Sequence, residues 1–404
     1  MAQQPDSPSL PEFPFRPPNA VEPPEEWAQL RAGCPVAEVR LISGDQATLL
    51  TRYDDVKQTL ADPRFTRQLD AAGAARLTVN QTGGVFSNPN PVASGAAHQR
   101  WRRLMSKAFT ARRMAELKPR IEATADRLVD DLVASGPPGD LVSAFAFPLP
   151  IWVICELLGV PYEDRARFSH WSAVRLSVSR YDQAEIDAAD ADFTTYIVDL
   201  LAAKLAEPGD DLLSELIAIA DSEDGRLSED EAVLTGRGLL AAGHETTANM
   251  ISKMMALLLA DRTRWEQVLA RPELIPSAVE EALRFDANAG FGLPRYLTDD
   301  LDLADVTVPR GTTVLASLAA ANRDERAFDH ADEMDLSRTP NPHLAFGAGP
   351  HSCLGQALAR TELQTVLQVL RQRLPGLALA VPVEELPRRE GMLVGGLERL
   401  MVQW

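Results

Sequence analysis

Apolar residues recur at helical spacing through most of the chain, and period-two alternation is confined to short stretches. The longest helical pattern starts at Ser228, with Glu231 three residues on as in a capping box, and runs to about Ala260. At about 1.5 Å per residue it spans roughly 48 Å, and it is apolar enough to be expected to cross the core. Gly243 and the pair Thr246–Thr247 interrupt it, which predicts a kink or local widening. Alternation over residues 36–50 predicts a hairpin turning at Ser43–Gly44–Asp45, and the next stretch reads as a short helix stopped by Asp62–Pro63. Residues 115–220 form a succession of amphipathic helices broken at Gly136–Pro137–Pro138 and at Pro161. The tail from Gly391 alternates like a terminal hairpin. Between residues 66 and 97 no period holds. So long a loop is more often functional than idle, with Val85, Phe86 and Val92 as candidate pocket contacts.

Composition narrows the class. The 404 residues carry a formal charge of −18, which argues against general nucleic-acid or anionic-membrane binding. The proline-rich start, residues 1–20, reads as an extended arm, with no signal-peptide core and no membrane span. A cytoplasmic protein is expected. Cys34, Cys155 and Cys353 are odd in number and far apart, which is no disulfide framework. One stretch runs against the acidic trend. Arg100 to Arg120 holds eight Lys/Arg against the single acid Glu116, either a solvated face or an anion site with a docking patch.

The most specific chemistry lies in FGAGPHSCLG, Phe346 to Gly355, where a glycine-rich loop enters a helical pattern that ends before Pro375–Gly376. Exposed N–H groups and the helix dipole there favour a thiolate at Cys353. A lone buried cysteine is usually a small core residue. The spacing F-x-x-G-x-x-x-C-x-G, met by Phe346, Gly349, Cys353 and Gly355, resembles the haem-ligand loop of the cytochrome P450 family. The resemblance makes Cys353 the axial iron ligand of haem b and Phe346 a haem contact.

Further segments fit the same resemblance. His98 and Arg102 stand four apart on one helix face and are similar to the family's propionate-binding pair. AGHETT resembles the oxygen-activating segment. That places Ala242 and Gly243 on the oxygen side of the haem and makes Glu245 and Thr246 the acid and hydroxyl of a proton relay. Arg295 matches the second propionate arginine, with Ala289, Phe291 and Leu293 beside it as pocket wall. His351 fits a propionate or backbone contact. Glu281 and Arg284 match a buried structural ion pair completed by Arg323 or Arg338. Phe168, Trp171, Val174 and Val178 fall in the expected substrate roof, and Met392 or Leu393 is placed to reach the pocket, although core packing explains each of the roof residues as well.

The resemblance covers about residue 36 to the end. It implies one domain over 1–404, mainly α with a small β region, enclosing haem b. The implied activity is monooxygenation of a bulky, mostly apolar natural product, by hydroxylation or epoxidation. No flavin or iron–sulfur segment is recognisable, so a separate ferredoxin and its reductase are expected to supply electrons, with docking near Arg102, Arg103, Lys107, Arg112 and Arg113. The alternatives are a haem-thiolate enzyme of another type (oxidative coupling, ring formation, peroxide-driven oxidation) and a haem sensor or carrier without turnover.

Overall fold

The computed structural model describes residues 10–79, 94–220, 228–286, 290–304 and 306–404. Val85, Phe86, Val92 and Ala289 lie outside these residues, as do the first nine of the expected arm. Within residues 10–20, strand β1 (Glu12–Phe13) pairs in parallel with β2 (Val36–Leu41), and Phe13 is buried. The hairpin expected over 36–50 is present. β2 runs antiparallel to β3 (Gln46–Leu50), with Val36 opposite Leu50 and Arg40 opposite Gln46.

The largest sheet continues from β3 to strands far along the chain. β4 (Phe65–Thr66) lies at its outer edge and β5 (Gly139–Asp140) belongs elsewhere. β6 (Leu293–Leu297) joins β4 on one side and β9 on the other, after the small hairpin β7 (Leu301–Leu303) and β8 (Val306–Val308). The sheet order is β1-β2-β3-β9-β6-β4, where β9 spans Thr313–Ala316. Arg295 lies opposite Val314 in this sheet, which holds the arginine on a fixed strand. A second sheet joins β5 to β11 (Met401–Gln403) and β10 (Ala378–Leu379). The tail closes on residues 139–140 and also folds back on itself around the antiparallel bridge Arg388–Leu397, where Arg389 N–H donates to the Gly396 carbonyl and Glu398 N–H to the Pro387 carbonyl.

Helices make up most of the remainder. α2 (Tyr53–Ala61) packs on the large sheet through Val56 and Leu60, and α1 (Glu25–Gly33) packs its Trp27 against Ala319 and Ala320. The basic stretch is divided, because the chain turns at Phe109–Thr110 between α3 (Gly95–Ala108) and α4 (Ala111–Ser135). A π-helical turn, Val142–Ala146, leads into α5 (Pro148–Leu158), followed by α6 (Arg165–Arg175), α7 (Gln183–Ala206) and α8 (Leu212–Ala220). The core-crossing helix is α9 (Glu229–Leu259), and α10 (Arg262–Ala270), α11 (Ile275–Phe285) and the short α12 (Leu318–Ala321) follow it. α13 (Gln356–Arg373) comes directly after the cysteine loop.

α9 is capped as its sequence predicts. Ser228 Oγ accepts from the Glu231 N–H at 3.1 Å, and Glu231 returns a carboxylate to the Ser228 N–H at 3.0 Å. The interruption expected at Gly243 does not occur, since all 31 residues are one α-helix. Close packing accounts for this, as α5 approaches so closely that a Cβ on Gly243 would meet Ile154 Cδ1 at 2.7 Å. Thr246 does back-bond, its hydroxyl donating to the Ala242 carbonyl at 2.7 Å without breaking the helix.

The residues expected in the substrate roof are packed core. Trp171 stacks on Phe193 at 4.8 Å, and Phe168 meets Trp171 edge-on at 5.3 Å, so α6 is fixed to α7. Val178, Met392, Leu393 and Phe291 share a second buried cluster, in which Phe291 packs edge-on against Phe13 at 5.3 Å.

Candidate active site

The cysteine loop is built from two left-handed glycines, Gly347 and Gly349, both with φ +68°. At Gly349 the loop runs so close to α2 that a Cβ would lie 2.5 Å from the Leu60 carbonyl oxygen. The Cys353 N–H returns to the Phe346 carbonyl at 2.8 Å, which closes the loop just ahead of α13. Phe346 is held between two basic side chains. The Arg360 guanidinium lies 4.5 Å from its ring centroid and the His343 ring lies 5.9 Å away. Glu280 on α11 accepts from Arg360 Nε at 2.8 Å and lies 3.1 Å from His343 Nε2. Burial would raise the Glu280 carboxyl, but hydrogen bonds with His343 and Arg360 outweigh it and hold the pKa at about 2.

The thiolate tendency expected at Cys353 is opposed by burial. Burial pushes the thiol up, against the Gly355 N–H and the charges of Arg102 and Arg360. A bound metal ion would remove that proton outright.

Beside this loop the chain gathers arginines and histidines, with no acid hydrogen-bonded to them among the described residues. Arg102 on α3 donates from Nη1 to the Ser352 carbonyl at 2.7 Å. His98, one turn earlier, brings its ring to 4.0 Å from that of His351, and His351 Nδ1 is buried without a partner among the described residues. Burial lowers the His351 pKa to about 3, reinforced by His98, Arg67, Arg295 and Arg102. Burial also lowers His98, then Arg67 and Arg102 add to it. Arg295 on β6 drops to about 10 through burial and the neighbouring Arg67. Arg67 lies in crowded surroundings yet keeps exposed surface, so it borders open space rather than packed core. Among the described residues, no carboxylate offsets the charge of Arg295 or of the arginines that face His98 and His351. Such a cluster is costly unless an anion completes it. A haem brings two carboxylates, and its iron requires a ligand such as the adjacent thiol, so the donor set fits this cofactor.

The other candidate surface lies on α9. Gly238, Ala242 and Thr246 are exposed at four-residue intervals on a helix whose middle is otherwise mostly buried, so one stripe faces open space inside the fold. Glu245 is 1% exposed and points to another flank. It accepts from Arg389 Nη1 at 2.7 Å and from Asn249 Nδ2 at 3.4 Å. Burial raises its carboxyl above the ordinary range, with Arg389 opposing. Trp101 Nε1 donates to Thr235 Oγ1 at 3.0 Å and ties α3 to α9.

Beneath the loop, Glu281 and Arg284 are both fully buried. Arg284 Nη2 and Nε donate to the two carboxylate oxygens at 2.7 and 2.8 Å. The third partner is Arg338, whose Nε lies 3.2 Å from both oxygens. Arg323 instead donates to the Phe285 carbonyl at 2.6 Å. Leu293 lies beside the cysteine loop near Gly347. Sequence reasoning did not find Arg67 or Arg389, because both stand in segments without periodicity and neither adjoins a recognisable motif.

Known proteins give the same picture across nearly the whole chain. The family model for Cytochrome P450 matches residues 191–374. Mycinamicin IV hydroxylase/epoxidase of Micromonospora griseorubida is 44% identical, with 97% of this chain and 98% of the relative covered. Nocardicin C N-oxygenase of Nocardia uniformis subsp. tsuyamanensis is 43% identical at 97% and 98% coverage. The solved structure of a cytochrome P450 hydroxylase from the leinamycin biosynthetic pathway of Streptomyces atroolivaceus superposes with a TM-score of 0.87. It is 42% identical and covers 98% of this chain and 100% of its own. With a cation cluster and cysteine loop suited to haem inside a fold shared end to end with these relatives, the chain belongs to the cytochrome P450 family and is a haem b-dependent monooxygenase.

Proposed function

We propose that the chain, acting as one domain, inserts one oxygen atom into a bulky, mostly apolar natural product, by hydroxylation or epoxidation. Support comes from relatives named mycinamicin IV hydroxylase/epoxidase and nocardicin C N-oxygenase. The observation that carries the reading is the pairing on α9 of a buried acid, Glu245, whose carboxyl burial pushes above its ordinary range, with a hydroxyl on the open stripe, Thr246.

In this reading Cys353 holds the iron, and Phe346, fixed by Arg360 and His343, covers the thiolate side. His98, Arg102, Arg295 and His351 hold the propionates, joined by Arg67. Ala242 and the backbone of Gly243 line the oxygen side. When bound, the haem supplies oxygen activation, and electron donation from the thiolate favours O–O cleavage. Thr246, whose hydroxyl donates to the Ala242 carbonyl, offers its oxygen as acceptor to a water that carries protons drawn from Glu245.

Electrons come from a separate ferredoxin and its reductase in the cytoplasm. The docking face is narrower than the basic stretch, since Arg102 turns inward to Ser352 and Arg113 pairs with Glu215. Arg103 and Lys107 remain exposed, as does Arg112, although Arg112 pairs with Glu116 at 2.8 Å. Among the described residues, no helix is long and apolar enough to cross a membrane.

The test is a panel of macrolide, terpenoid and steroid-like molecules screened for ligand-induced spin-state shifts, with hits assayed for product. A hit whose oxygenated product requires both dioxygen and reductant supports the reading. Shifts without oxygen insertion into any hit would overturn it.

A further inference from the structure

α11 carries two adjacent acids that face different ways. Glu281 is taken up by Arg284 and Arg338 beneath the loop, while Glu280 reaches α13 and the approach to the cysteine loop. Arg360 clasps Glu280 with both prongs of its guanidinium, Nε to Oε1 at 2.8 Å and Nη2 to Oε2 at 2.9 Å. A two-pronged pair of this kind fixes direction as well as distance. Arg360 Nη1 also donates to Gln356 Oε1 at 3.0 Å, one turn back on the helix. His343 completes the group. Its Nδ1 accepts from the Ala345 N–H at 3.2 Å, which leaves Nε2 to donate to Glu280.

As a folding anchor the group is modest. The Arg360 and Glu280 side chains are 32% and 24% exposed, and ion pairs that solvent reaches contribute little. Its geometry points at the ligand loop instead. The Arg360 guanidinium, oriented by Glu280, lies against the Phe346 ring, and the Phe346 carbonyl receives the Cys353 N–H. Burial raises the Cys353 thiol, and the charges of Arg102 and Arg360 oppose it. These two arginines differ in their partners. Arg102 directs its hydrogen bonds to Ser352, whereas Arg360 is held by a carboxylate. With its pKa at about 2, Glu280 stays ionised at neutral pH, so the charge of Arg360 is opposed throughout.

We infer that Glu280 is a positioning residue that sets the reduction potential of the bound haem iron, by holding Arg360 against Phe346 and opposing its charge behind Cys353. The step it governs is the uptake of one electron from the separate ferredoxin. An unopposed cation behind the sulfur draws electron density from it and favours the reduced, more negative centre. With Glu280 in place that density stays on the thiolate, where its donation favours O–O cleavage. The inference rests on Cys353 as the iron ligand.

The experiment is a spectroelectrochemical titration of the holoenzyme as wild type, Glu280→Gln, Arg360→Met, Arg360→Lys and the double variant Glu280→Gln/Arg360→Met. Glu280→Gln is expected to favour reduction roughly tenfold, a rise of about 59 mV in the midpoint of a one-electron couple. Arg360→Met is expected to lower the midpoint. The double variant, neutral at both positions, returns close to wild type, and Arg360→Lys, which keeps the charge, stays close to it. Should Glu280→Gln fail to hold haem, the contrast between Arg360→Met and Arg360→Lys decides alone. A purely structural brace would loosen the loop in either single variant and move both midpoints the same way or not at all. Midpoints that do not move in opposite directions in Glu280→Gln and Arg360→Met would therefore overturn the inference. A wild-type carbon-monoxide band at the position of imidazole-ligated haem would instead remove the ligand assignment on which it rests.

Discussion

Arg102 Nη1 donates to the Ser352 carbonyl at 2.7 Å, one residue ahead of the cysteine. One side chain of α3 thus serves two purposes, bracing the cysteine loop and adding charge to the acid-free cluster. Replacing it by methionine keeps the packing of the stem and removes the donor. A charge-assisted hydrogen bond of this kind contributes about 1.5–3 kcal/mol. Haem transfer to an apo-globin acceptor is therefore expected to be about 10- to 100-fold faster in Arg102→Met. An unchanged transfer rate would show that the cluster does not hold the cofactor.

Glu280 gives a pH-dependent prediction. Its folded pKa of about 2 lies below the ordinary 4.5, so its contribution is fully present above about pH 4.5 and is lost as pH falls towards 2. The full shift corresponds to about 3 kcal/mol. The side chain is 24% exposed, and solvent screening leaves about 1–2 kcal/mol. Glu280→Gln should be destabilised by that amount in urea at neutral pH, with the gap narrowing below about pH 4.5. A gap that stays constant on acidification would mean that the charge on Glu280 does not matter.

The buried pair beneath the loop should be far less tolerant. Glu281→Gln leaves Arg284 charged and fully buried, which costs about 3–5 kcal/mol. Arg338→Ala removes an outer partner whose side chain is 12% exposed and should cost less. Thermal unfolding of the two variants checks the order, and a larger loss in Arg338→Ala would contradict this assignment.

Thr246→Ala removes a hydroxyl that stands on the open stripe and leaves helix α9 intact. Substrate binding, read from the spin-state shift, should be unchanged, while product per reductant falls by about tenfold or more and peroxide release rises. Full coupling in this variant would exclude Thr246 from proton delivery.

Reversing the charge of Arg103 and Lys107, both exposed on α3, should slow reduction by a ferredoxin and flatten its dependence on salt. Reduction kinetics equal to wild type would move the docking face elsewhere.

Much of this arrangement was legible in the sequence where local rules act. The capping box at Ser228, the hairpin over 36–50 and the glycines of the cysteine loop are dictated by nearby residues, and they appear as read. Partners distant along the chain were not legible. Arg389 lies 144 residues from Glu245, and neither Arg338 nor Arg323 could be preferred for Glu281 until the fold placed Arg338 there. The roof residues stayed ambiguous for a related reason. An aromatic at Trp171 fits a ligand or a core equally well by spacing, and only the stack on Phe193 decides for the core. The kink at Gly243 failed because close packing by Ile154 uses the same missing side chain that a bend would.

Ligation of iron by Cys353 is tested most directly by the spectrum of reduced, carbon-monoxide-treated holoprotein. A strongly red-shifted Soret band is expected in the wild type, and its loss is expected in Cys353→Ser protein that still retains haem. A wild-type band at the position of imidazole-ligated haem, or one that survives the substitution, would contradict the assignment.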